Sequence, residues 1–264
     1  MLRFLKIETM VGCNAHCIFC PLGAGILKRK PGRMDSEFFF KTVDQARALG
    51  IEAYPFFMSE PLLEPRFFEF YDYIERTGGK QTFFTNAALM TEAKAEKLCQ
   101  YQYHPDKFTI TFHGGNKEAY EKVMSLNFEK SVSNIKYLIS LKPRPSILIS
   151  MKTTEENINS VNDFRKLWEG EKIKLKISES INWGGLLYKG GGISKCPLLH
   201  ISGVFWDGRM PLCCTDAEGV VIIGDLKRQS LKEILEGEII QKYLDFNKKS
   251  KLNQLYPCSI CDVQ

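Results

Sequence analysis

The chain of 264 residues lacks any long hydrophobic run, and its charge is nearly balanced. No segment approaches the roughly 20 apolar residues that span a bilayer, and residues 1–9 alternate in polarity, unlike the apolar core of a secretion signal. The net charge of +5 arises from Lys and Arg spread along the chain, so no block of positive charge indicates nucleic-acid binding. We therefore expect a cytoplasmic protein whose partners include neither a membrane nor a nucleic acid.

Cysteine, in contrast, is abundant, with nine residues. Structural disulfides are rare in a reducing cytoplasm, so this number indicates metal binding or catalysis. One cysteine, Cys99, stands alone, and we expect it to be a buried core thiol. The others form an N-terminal group and a C-terminal group, and thus predict two sites: Cys13, Cys17 and Cys20, and then Cys196, Cys213, Cys214, Cys258 and Cys261.

Strand-like and helix-like segments alternate over roughly the first 180 residues. Six short runs rich in apolar residues are typical of buried parallel strands; they are 2–9, 51–58, 81–85, 108–113, 146–152 and 173–178. Helical patterns lie between them at 35–49, 66–77, 91–101, 118–141 and 157–168. Six β–α repeats with right-handed crossovers predict an α/β fold, namely a partial (β/α)6 TIM-like barrel.

A glycine-rich segment at 182–192 ends the repeats, and we expect one domain at 1–189 and a small unit at 190–264. In the small unit, strands at 200–206 and 210–214 flank Asp207-Gly208, which predicts a β-hairpin. A strand at 220–223 and a helix at 230–236 follow. A unit of this size buries little core and needs a metal or its neighbour for stability.

The three N-terminal cysteines follow the first strand in the pattern C-x3-C-x2-C, where β–α loops carry function. A zinc site generally needs four ligands, and His16 lies too close to Cys17 to complete a tetrahedron easily. A redox pair would leave the third cysteine unused. The residues favour an iron–sulfur cluster with one open position, while zinc and a redox pair remain alternatives.

The same loop, with Phe19 just before its last cysteine, resembles the signature of the radical S-adenosylmethionine (radical SAM) superfamily. The resemblance implies that the three cysteines hold three irons of a [4Fe–4S] cluster and that SAM binds the fourth. It also implies that SAM is cleaved to a 5′-deoxyadenosyl radical, which abstracts hydrogen from a substrate. An external donor such as flavodoxin or ferredoxin would supply the electron.

Other segments at the strand ends resemble the SAM-binding motifs of the superfamily. Met58-Ser59-Glu60-Pro61 resembles the glycine-glycine-glutamate motif of the superfamily, with both glycines replaced. The resemblance implies that Ser59 and Glu60 bind SAM and that the Glu60 carboxylate binds the ammonium group of SAM. Each candidate also suits a strand-end cap or an exposed side chain. Asn86, Thr111 and Lys152 are further candidates for cofactor binding, and Lys152 would bind the carboxylate of SAM. His113 is a candidate proton acceptor, cap or cofactor contact.

The spacing of the C-terminal cysteines suits zinc and an iron–sulfur cluster equally well. The run from Cys196-Pro through Trp206-Asp-Gly to the final C-x2-C resembles SPASM and twitch domains, which hold auxiliary clusters. The resemblance implies one second [4Fe–4S] cluster with Cys214 as a spare thiol, although Cys213 and Cys214 could exchange roles because neighbouring strand residues face opposite sides. The implied ligands are Cys196, Cys213, Cys258 and Cys261.

In length and layout the chain is similar to the alcohol-oxidising 2-deoxy-scyllo-inosamine dehydrogenases. The resemblance implies oxidation of an alcohol on a small polar substrate, such as a sugar, cyclitol or aminoglycoside precursor, with the second cluster as electron acceptor. The main alternative is a peptide-modifying enzyme that forms crosslinks or epimerises residues. Because the first strand begins at residue 2, we expect no leader-peptide-binding domain before it, which favours the small substrate. A non-catalytic zinc-binding scaffold is a remote alternative.

Overall fold

Six parallel strands alternate with helices in the first part of the chain, as the sequence predicts; the computed structural model describes residues 2–263. The strands are β1 (Phe4–Ile7), β2 (Glu52–Tyr54), β3 (Gln81–Thr85), β4 (Tyr103–Thr111), β5 (Ile147–Thr153) and β6 (Lys174–Glu179). The helices are α1 (Ser36–Ala48), α2 (Phe67–Arg76), α3 (Glu92–Leu98), α4 (Lys117–Met124), α5 (Phe128–Ser140) and α6 (Val161–Leu167).

The C-terminal part adds three strands and two helices among the described residues. They are β7 (Ile201–Val204), β8 (Arg209–Pro211), β9 (Ile222–Asp225), α7 (Leu231–Glu236) and α8 (Glu238–Lys248). Sequence reasoning predicted every strand and α7 but missed α8. None of the helices in residues 2–263 combines the length and apolar character needed to cross a membrane.

The parallel strands form two sheets, β2-β1-β7 and β3-β4-β5-β6, and β2 contacts β3 without ladder hydrogen bonds. On one face of each sheet, apolar residues pack against helices, for example Leu5 and Ile7 of β1 with Phe39 of α1. Phe108 of β4 and Ile149 of β5 pack in the same way against the helices of the second core. Since successive strand residues alternate between faces, the other face of each sheet forms the concave interior of this partial barrel.

The predicted helical segments correspond to helices of the structure, with one exception. Asp35 Oδ1 accepts a hydrogen bond from Phe38 N (3.0 Å) and starts α1. The single helix predicted over 118–141 is wrong, because the chain takes a left-handed turn at Ser125 (φ 55°). Asn127 then caps a new helix, α5, by accepting from Lys130 N (2.7 Å).

The hairpin predicted around Asp207-Gly208 is only partly correct. The chain turns there, with Gly208 at φ 98° and Phe205 N donating to Arg209 O (2.9 Å). However, β7 pairs in parallel with β1, and β8 pairs antiparallel with β9. Val204 of β7 is buried in the same core as Ile7, so apolar burial draws β7 onto the first sheet. Our proposed division at residue 190 therefore leaves one strand of the small unit in the barrel sheet.

Candidate functional site

The loop that carries the first three cysteines is fixed to the chain segment after β2. Gly12 N donates to Met58 O (3.2 Å), and Glu60 N donates to Gly12 O (2.9 Å). The other side of the loop contacts the end of α4, where His16 N donates to Met124 O (2.9 Å). These bonds place the thiols and Glu60 together at the carboxyl ends of the strands, where ligands bind in this class of fold.

The loop folds tightly on itself, and Gly23 makes this possible. Cys20 N donates to Cys17 O (3.0 Å), which closes a turn between the last two cysteines. A Cβ atom at Gly23 would lie 2.5 Å from Cys17 N and 2.6 Å from Cys17 O. No side chain fits such a contact, so glycine is required for this loop conformation.

The three thiols interact with one another in a largely buried environment. Burial raises the pKa of Cys13 to about 12 and raises that of Cys17 further, and the charges of neighbouring thiols act in the same direction on both. Burial likewise raises the pKa of Cys20. No three His, Cys, Asp or Glu side chains within residues 2–263 converge as ligands of a single metal ion. Three neighbouring soft thiols can supply three corners of an iron–sulfur cluster, whereas a structural zinc site generally takes four ligands.

Glu60 lies buried beside this loop and forms hydrogen bonds with the end of β3. Its Oε1 accepts from Thr85 Oγ1 and from Leu62 N (3.3 Å), and its Oε2 accepts from Asn86 N (2.9 Å). Burial raises the pKa of Glu60 to about 7 despite these bonds. The preceding residue, Ser59, has a buried hydroxyl with no hydrogen-bond partner in the described structure. The charge of Lys94 acts on Glu60, but its Nζ donates to the carbonyls of Leu62 and Leu89 and forms no ion pair with the carboxylate. A carboxylate that forms no ion pair among the described residues and an orphan hydroxyl fit the polar amino-acid end of SAM.

Asn86 and Thr111 extend this polar region along the strand ends. Asn86 Nδ2 donates to Asn14 Oδ1 (3.0 Å) and lies 3.8 Å from Cys13 Sγ. Thr111 Oγ1 donates to Thr85 O (3.2 Å). Asn86 thus contacts the cysteine loop itself, and an N–H group beside a cluster sulfur tunes the reduction potential of the cluster.

His113 is buried, and its geometry argues against the proton-acceptor role considered from the sequence. Its Nδ1 accepts a hydrogen bond from Lys152 N (3.0 Å), so the proton of the neutral ring resides on Nε2. Burial lowers the pKa of His113 to about 3. The rings of His113 and Phe19 pack edge to face with their centroids 4.9 Å apart, which links the histidine to the cysteine loop. His113 is therefore set as a neutral hydrogen-bond donor.

The side chain of Lys152 is directed to the end of β6. Its Nζ donates to Glu179 O (2.8 Å), and burial lowers its pKa. No contact in the described structure joins this ammonium group to the cysteine loop or to Glu60. A direct role toward the cofactor carboxylate remains a proposal.

Four C-terminal cysteines line one cavity of about 120 Å³: Cys196, Cys213, Cys258 and Cys261. Burial, followed by the charges of Cys196 and Cys261, raises the pKa of Cys258 to about 12, so these three thiols are neighbours. Cys213 lines the cavity whereas Cys214 does not, although Cys214 lies near enough to raise the pKa of Cys196. Because Cys213 borders the cavity and Cys214 does not, Cys213 is the favoured ligand.

Sequence reasoning missed two contacts that join the cysteine sites. Trp183 lines the C-terminal cavity, and its Nε1 donates to Phe19 O (3.0 Å) in the N-terminal cysteine loop. Arg29 forms a buried ion pair with Glu8, and its Nε donates to Ala217 O (2.6 Å) beside the same cavity. No motif in the sequence indicates either contact. Both hydrogen bonds join residues more than 160 positions apart, and the spacing of Arg29 and Glu8 does not reveal that they form a buried pair.

Two family models match the chain and cover most of its length. The radical SAM superfamily model matches residues 7–167, and an iron–sulfur cluster-binding domain, SPASM, matches residues 198–262. The chain belongs to the radical SAM superfamily. This membership confirms the superfamily expected from the C-x3-C-x2-C loop and the fold class expected from the β–α repeats, a parallel α/β core followed by a C-terminal iron–sulfur domain.

Among curated proteins, the radical SAM chain is similar to GTP 3′,8-cyclase of Clostridium botulinum, with 27% identity covering 74% of this chain. It spans only 62% of the length of that relative. Among solved structures, BtrN in complex with AdoMet and 2-DOIA has a TM-score of 0.63 at 15% identity, covering 99% of this chain and 93% of BtrN. The layout predicted from the sequence, one barrel followed by one cysteine-rich unit, agrees with this full-length match.

Two further solved structures share the fold. Streptococcus suis SuiB bound to precursor peptide SuiA has a TM-score of 0.75 at 12% identity, covering 99% of this chain and 70% of SuiB. The protein anSMEcpe with bound AdoMet has a TM-score of 0.71 at 16% identity, covering 95% of this chain and 84% of that one. At these identities the likeness establishes the fold and leaves the substrate to be argued from the site.

Proposed function

We propose that this radical SAM protein oxidises an alcohol group of a small polar substrate and that a second [4Fe–4S] cluster accepts the electron. The first cluster would be held by Cys13, Cys17 and Cys20, and the second by Cys196, Cys213, Cys258 and Cys261. When bound, the first cluster with SAM supplies hydrogen-atom abstraction, and the second supplies a one-electron acceptor. An external reductant of the flavodoxin or ferredoxin type would supply electrons.

The four thiols around one C-terminal cavity carry this proposal. Four protein ligands leave no open iron on a four-iron cluster, and such a cluster is suited to electron transfer rather than to substrate binding. Oxidation of an alcohol removes a hydrogen atom from carbon, a proton from the hydroxyl and one electron. The electron needs an acceptor, and a cluster held by the thiols of the C-terminal cavity would be that acceptor.

The protein's own side chains would orient the cofactor and exclude water. Glu60 is buried and hydrogen-bonded on both oxygens, so its carboxylate is held in a fixed position to face an ammonium group. The orphan hydroxyl of Ser59 offers a further hydrogen bond to the same ligand. Thr111 lies on the concave face and is positioned by its bond to Thr85 O.

The proposed reaction is tested by anaerobic reconstitution with iron and sulfide, followed by incubation with SAM and a panel of candidate substrates. The panel contains sugars, cyclitols, their phosphorylated and amino derivatives, and precursor peptides. Deoxyadenosine formation coupled to a substrate that loses two hydrogens supports the proposal. Turnover of a peptide into a crosslinked or epimerised product instead would establish the peptide-modifying alternative.

A variant with Cys258→Ala and Cys261→Ala tests the role of the second cluster. We expect deoxyadenosine formation to persist, because the first cysteine loop is intact, while the oxidised product falls to background because its electron acceptor is lost. Circular dichroism on the same sample shows whether the small unit still folds without its metal. A folded variant that forms the oxidised product at the parent rate would show that the second cluster is structural and does not accept the electron.

A further inference from the structure

Two lysines and two serines lie together on the concave face of β5 and β6. Ser150 pairs with Lys176, and Lys152 pairs with Ser178, in parallel register. The residues that alternate with them, such as Met151 and Ile177, pack on the helix side of the sheet. Paired residues on neighbouring strands are about 4.8 Å apart, and residues two positions apart are about 6.6 Å apart along a strand. The four side chains therefore form one small group, here named the Lys–Ser patch.

The positive charge of the Lys–Ser patch has no ion-pair partner among residues 2–263. Lys174, one row away on β6, pairs with Asp106 (2.6 Å), whereas Lys152 donates to the neutral carbonyl Glu179 O (2.8 Å). After burial, the charge of Lys176 is the next cause that lowers the pKa of Lys152, so the two ammonium groups repel each other. Two cations held close together without a carboxylate favour an anionic ligand.

The nearest acidic group does not neutralise the patch. The charge of Asp262 acts on Lys152, but its Oδ1 accepts from Asn182 N (2.9 Å) and its Oδ2 accepts from Tyr188 Oη (2.6 Å). Both oxygens are thus engaged by neutral donors on the linker between the barrel and the small unit. An ion pair with either lysine is absent from the described residues.

The patch also contains an unused hydrogen-bonding group and lies next to the proposed cofactor residues. Ser178 Oγ is buried and has no hydrogen-bond partner in the described structure. A buried hydroxyl without a partner is rare in a protein and indicates a missing ligand or water. On the other side, Ser150 pairs in register with Thr111 of β4, which we assign to cofactor binding.

We propose that the Lys–Ser patch binds an anionic group of the substrate, a phosphate or a carboxylate. Two ammonium groups balance the charge, and two hydroxyls donate hydrogen bonds to its oxygens. The inference rests on the proposed alcohol oxidation. It narrows the substrate class from the sugars, cyclitols and aminoglycoside precursors expected from the sequence to phosphorylated or carboxylated small molecules. The carboxylate of SAM is the other source of the same chemistry, and the test separates the two.

Equilibrium binding without turnover tests the patch directly. Inorganic phosphate, glucose 6-phosphate, glucose and glucosamine are titrated into the reconstituted protein by isothermal calorimetry, with and without SAM. We expect glucose 6-phosphate to bind at least about tenfold more tightly than glucose, glucosamine to bind most weakly, and the preference to shrink as salt is raised. Inorganic phosphate should compete with glucose 6-phosphate.

Single variants assign the binding to the patch. Lys176→Gln should weaken the binding of phosphate and of glucose 6-phosphate about tenfold. Lys136 is an exposed lysine on α5, and Lys136→Gln should leave both affinities unchanged. Equal affinities of all three sugars, or unchanged phosphate affinity in Lys176→Gln, would overturn the inference. Loss of SAM affinity in Lys176→Gln with phosphate binding intact would assign the patch to the cofactor and also overturn it.

The same samples distinguish this inference from the proposed reaction. If phosphate binds through the patch but no panel compound loses two hydrogens, the proposed alcohol oxidation fails and the anion site stands. If an uncharged alcohol is oxidised and Lys176→Gln changes neither its rate nor phosphate binding, the reaction stands and the inference fails.

Discussion

The buried carboxyl of Glu60 links cofactor binding to pH. Its pKa is raised from the ordinary value of 4.5 to about 7, because burial disfavours the charged form. For an acid with a raised folded-state pKa, the contribution to stability is present below about pH 4.5 and is lost as pH rises through about 7. A bound ammonium group reverses this effect, since it stabilises the ionised carboxylate.

We therefore predict that SAM binds more tightly as pH is raised through about 7, where Glu60 becomes ionised. Glu60→Gln should weaken SAM binding about tenfold or more above about pH 7, which is the scale of one charge-assisted hydrogen bond. The same variant should flatten the pH dependence of SAM binding. Binding is measured by equilibrium dialysis of the reconstituted protein, with iron content as the control. A Glu60→Gln variant with parent affinity and parent pH dependence would refute the assignment of Glu60 to the cofactor.

The adjacent thiols of Cys213 and Cys214 should differ in function. Cys213 lines the C-terminal cavity, whereas Cys214 is buried outside its lining and donates its backbone N–H to Ile201 O (3.1 Å). We predict that Cys213→Ala removes the second cluster, about four irons per chain, while Cys214→Ala retains it. Iron analysis and electron paramagnetic resonance spectra report the outcome, and the reverse pattern would exchange the two roles.

At the scale of the elements, local signals predicted the strands and helix starts well. Runs of apolar residues mark buried parallel strands, and caps such as Asp35 act through bonds between near neighbours, which a sequence displays directly. The break at Ser125 and the placement of β7 against β1 could not be predicted in this way. The first depends on one left-handed residue and the second on burial between segments almost 200 residues apart.

The candidate site shows the same division. The cysteine loop and Glu60 follow contiguous motifs, so the sequence was sufficient to propose them. The hydrogen bond from Trp183 to the Phe19 carbonyl and the ion pair of Arg29 with Glu8 arise only in the folded chain. The neutral state of His113 also depends on the fold, since it follows from burial and from the Lys152 N–H at its Nδ1.

Gly23 tests whether the tight conformation of the cysteine loop is needed for its iron. In Gly23→Ala the new methyl group would meet backbone atoms of Cys17 at 2.5–2.6 Å, which must open the turn at a cost of about 1–3 kcal/mol. We expect loss of the first cluster's iron and of SAM binding, with the second cluster retained. Gly191→Ala is the matched control, because its Cβ would meet no atom within 4 Å. Full iron content in Gly23→Ala would show that the loop tolerates an open turn.

For the whole molecule, one buried apolar group connects the two cysteine-rich regions. Phe57, Phe205 and Ala217 form its centre, and Cys20 and Trp183 pack against it. Arg29 lies over the Phe205 ring at 4.2 Å and donates to Ala217 O, so its ion pair with Glu8 is part of the same junction. These contacts hold the small unit against the N-terminal cysteine loop. A substitution at the junction should therefore alter both cysteine sites.

Trp183→Phe tests this coupling, because it keeps an aromatic ring and removes the N–H that donates to Phe19 O. Trp206→Phe is the matched control: it removes an indole bond to another backbone carbonyl, Lys30 O (3.1 Å), and Trp206 does not line the C-terminal cavity. Each variant should lose about 1 kcal/mol of stability, or about 2–4 °C in Tm.

Only Trp183→Phe should alter the electron paramagnetic resonance spectra of both clusters and weaken SAM binding, since only this tryptophan contacts the N-terminal cysteine loop while lining the second cavity. The spectra are recorded on reduced protein with and without SAM, and the melting temperatures on the same preparations. Equal spectral changes in the two variants would indicate a general loosening of the fold. Unchanged spectra in both would show that the two cluster sites behave independently, and that the junction around Ala217 serves only to hold the small unit in place.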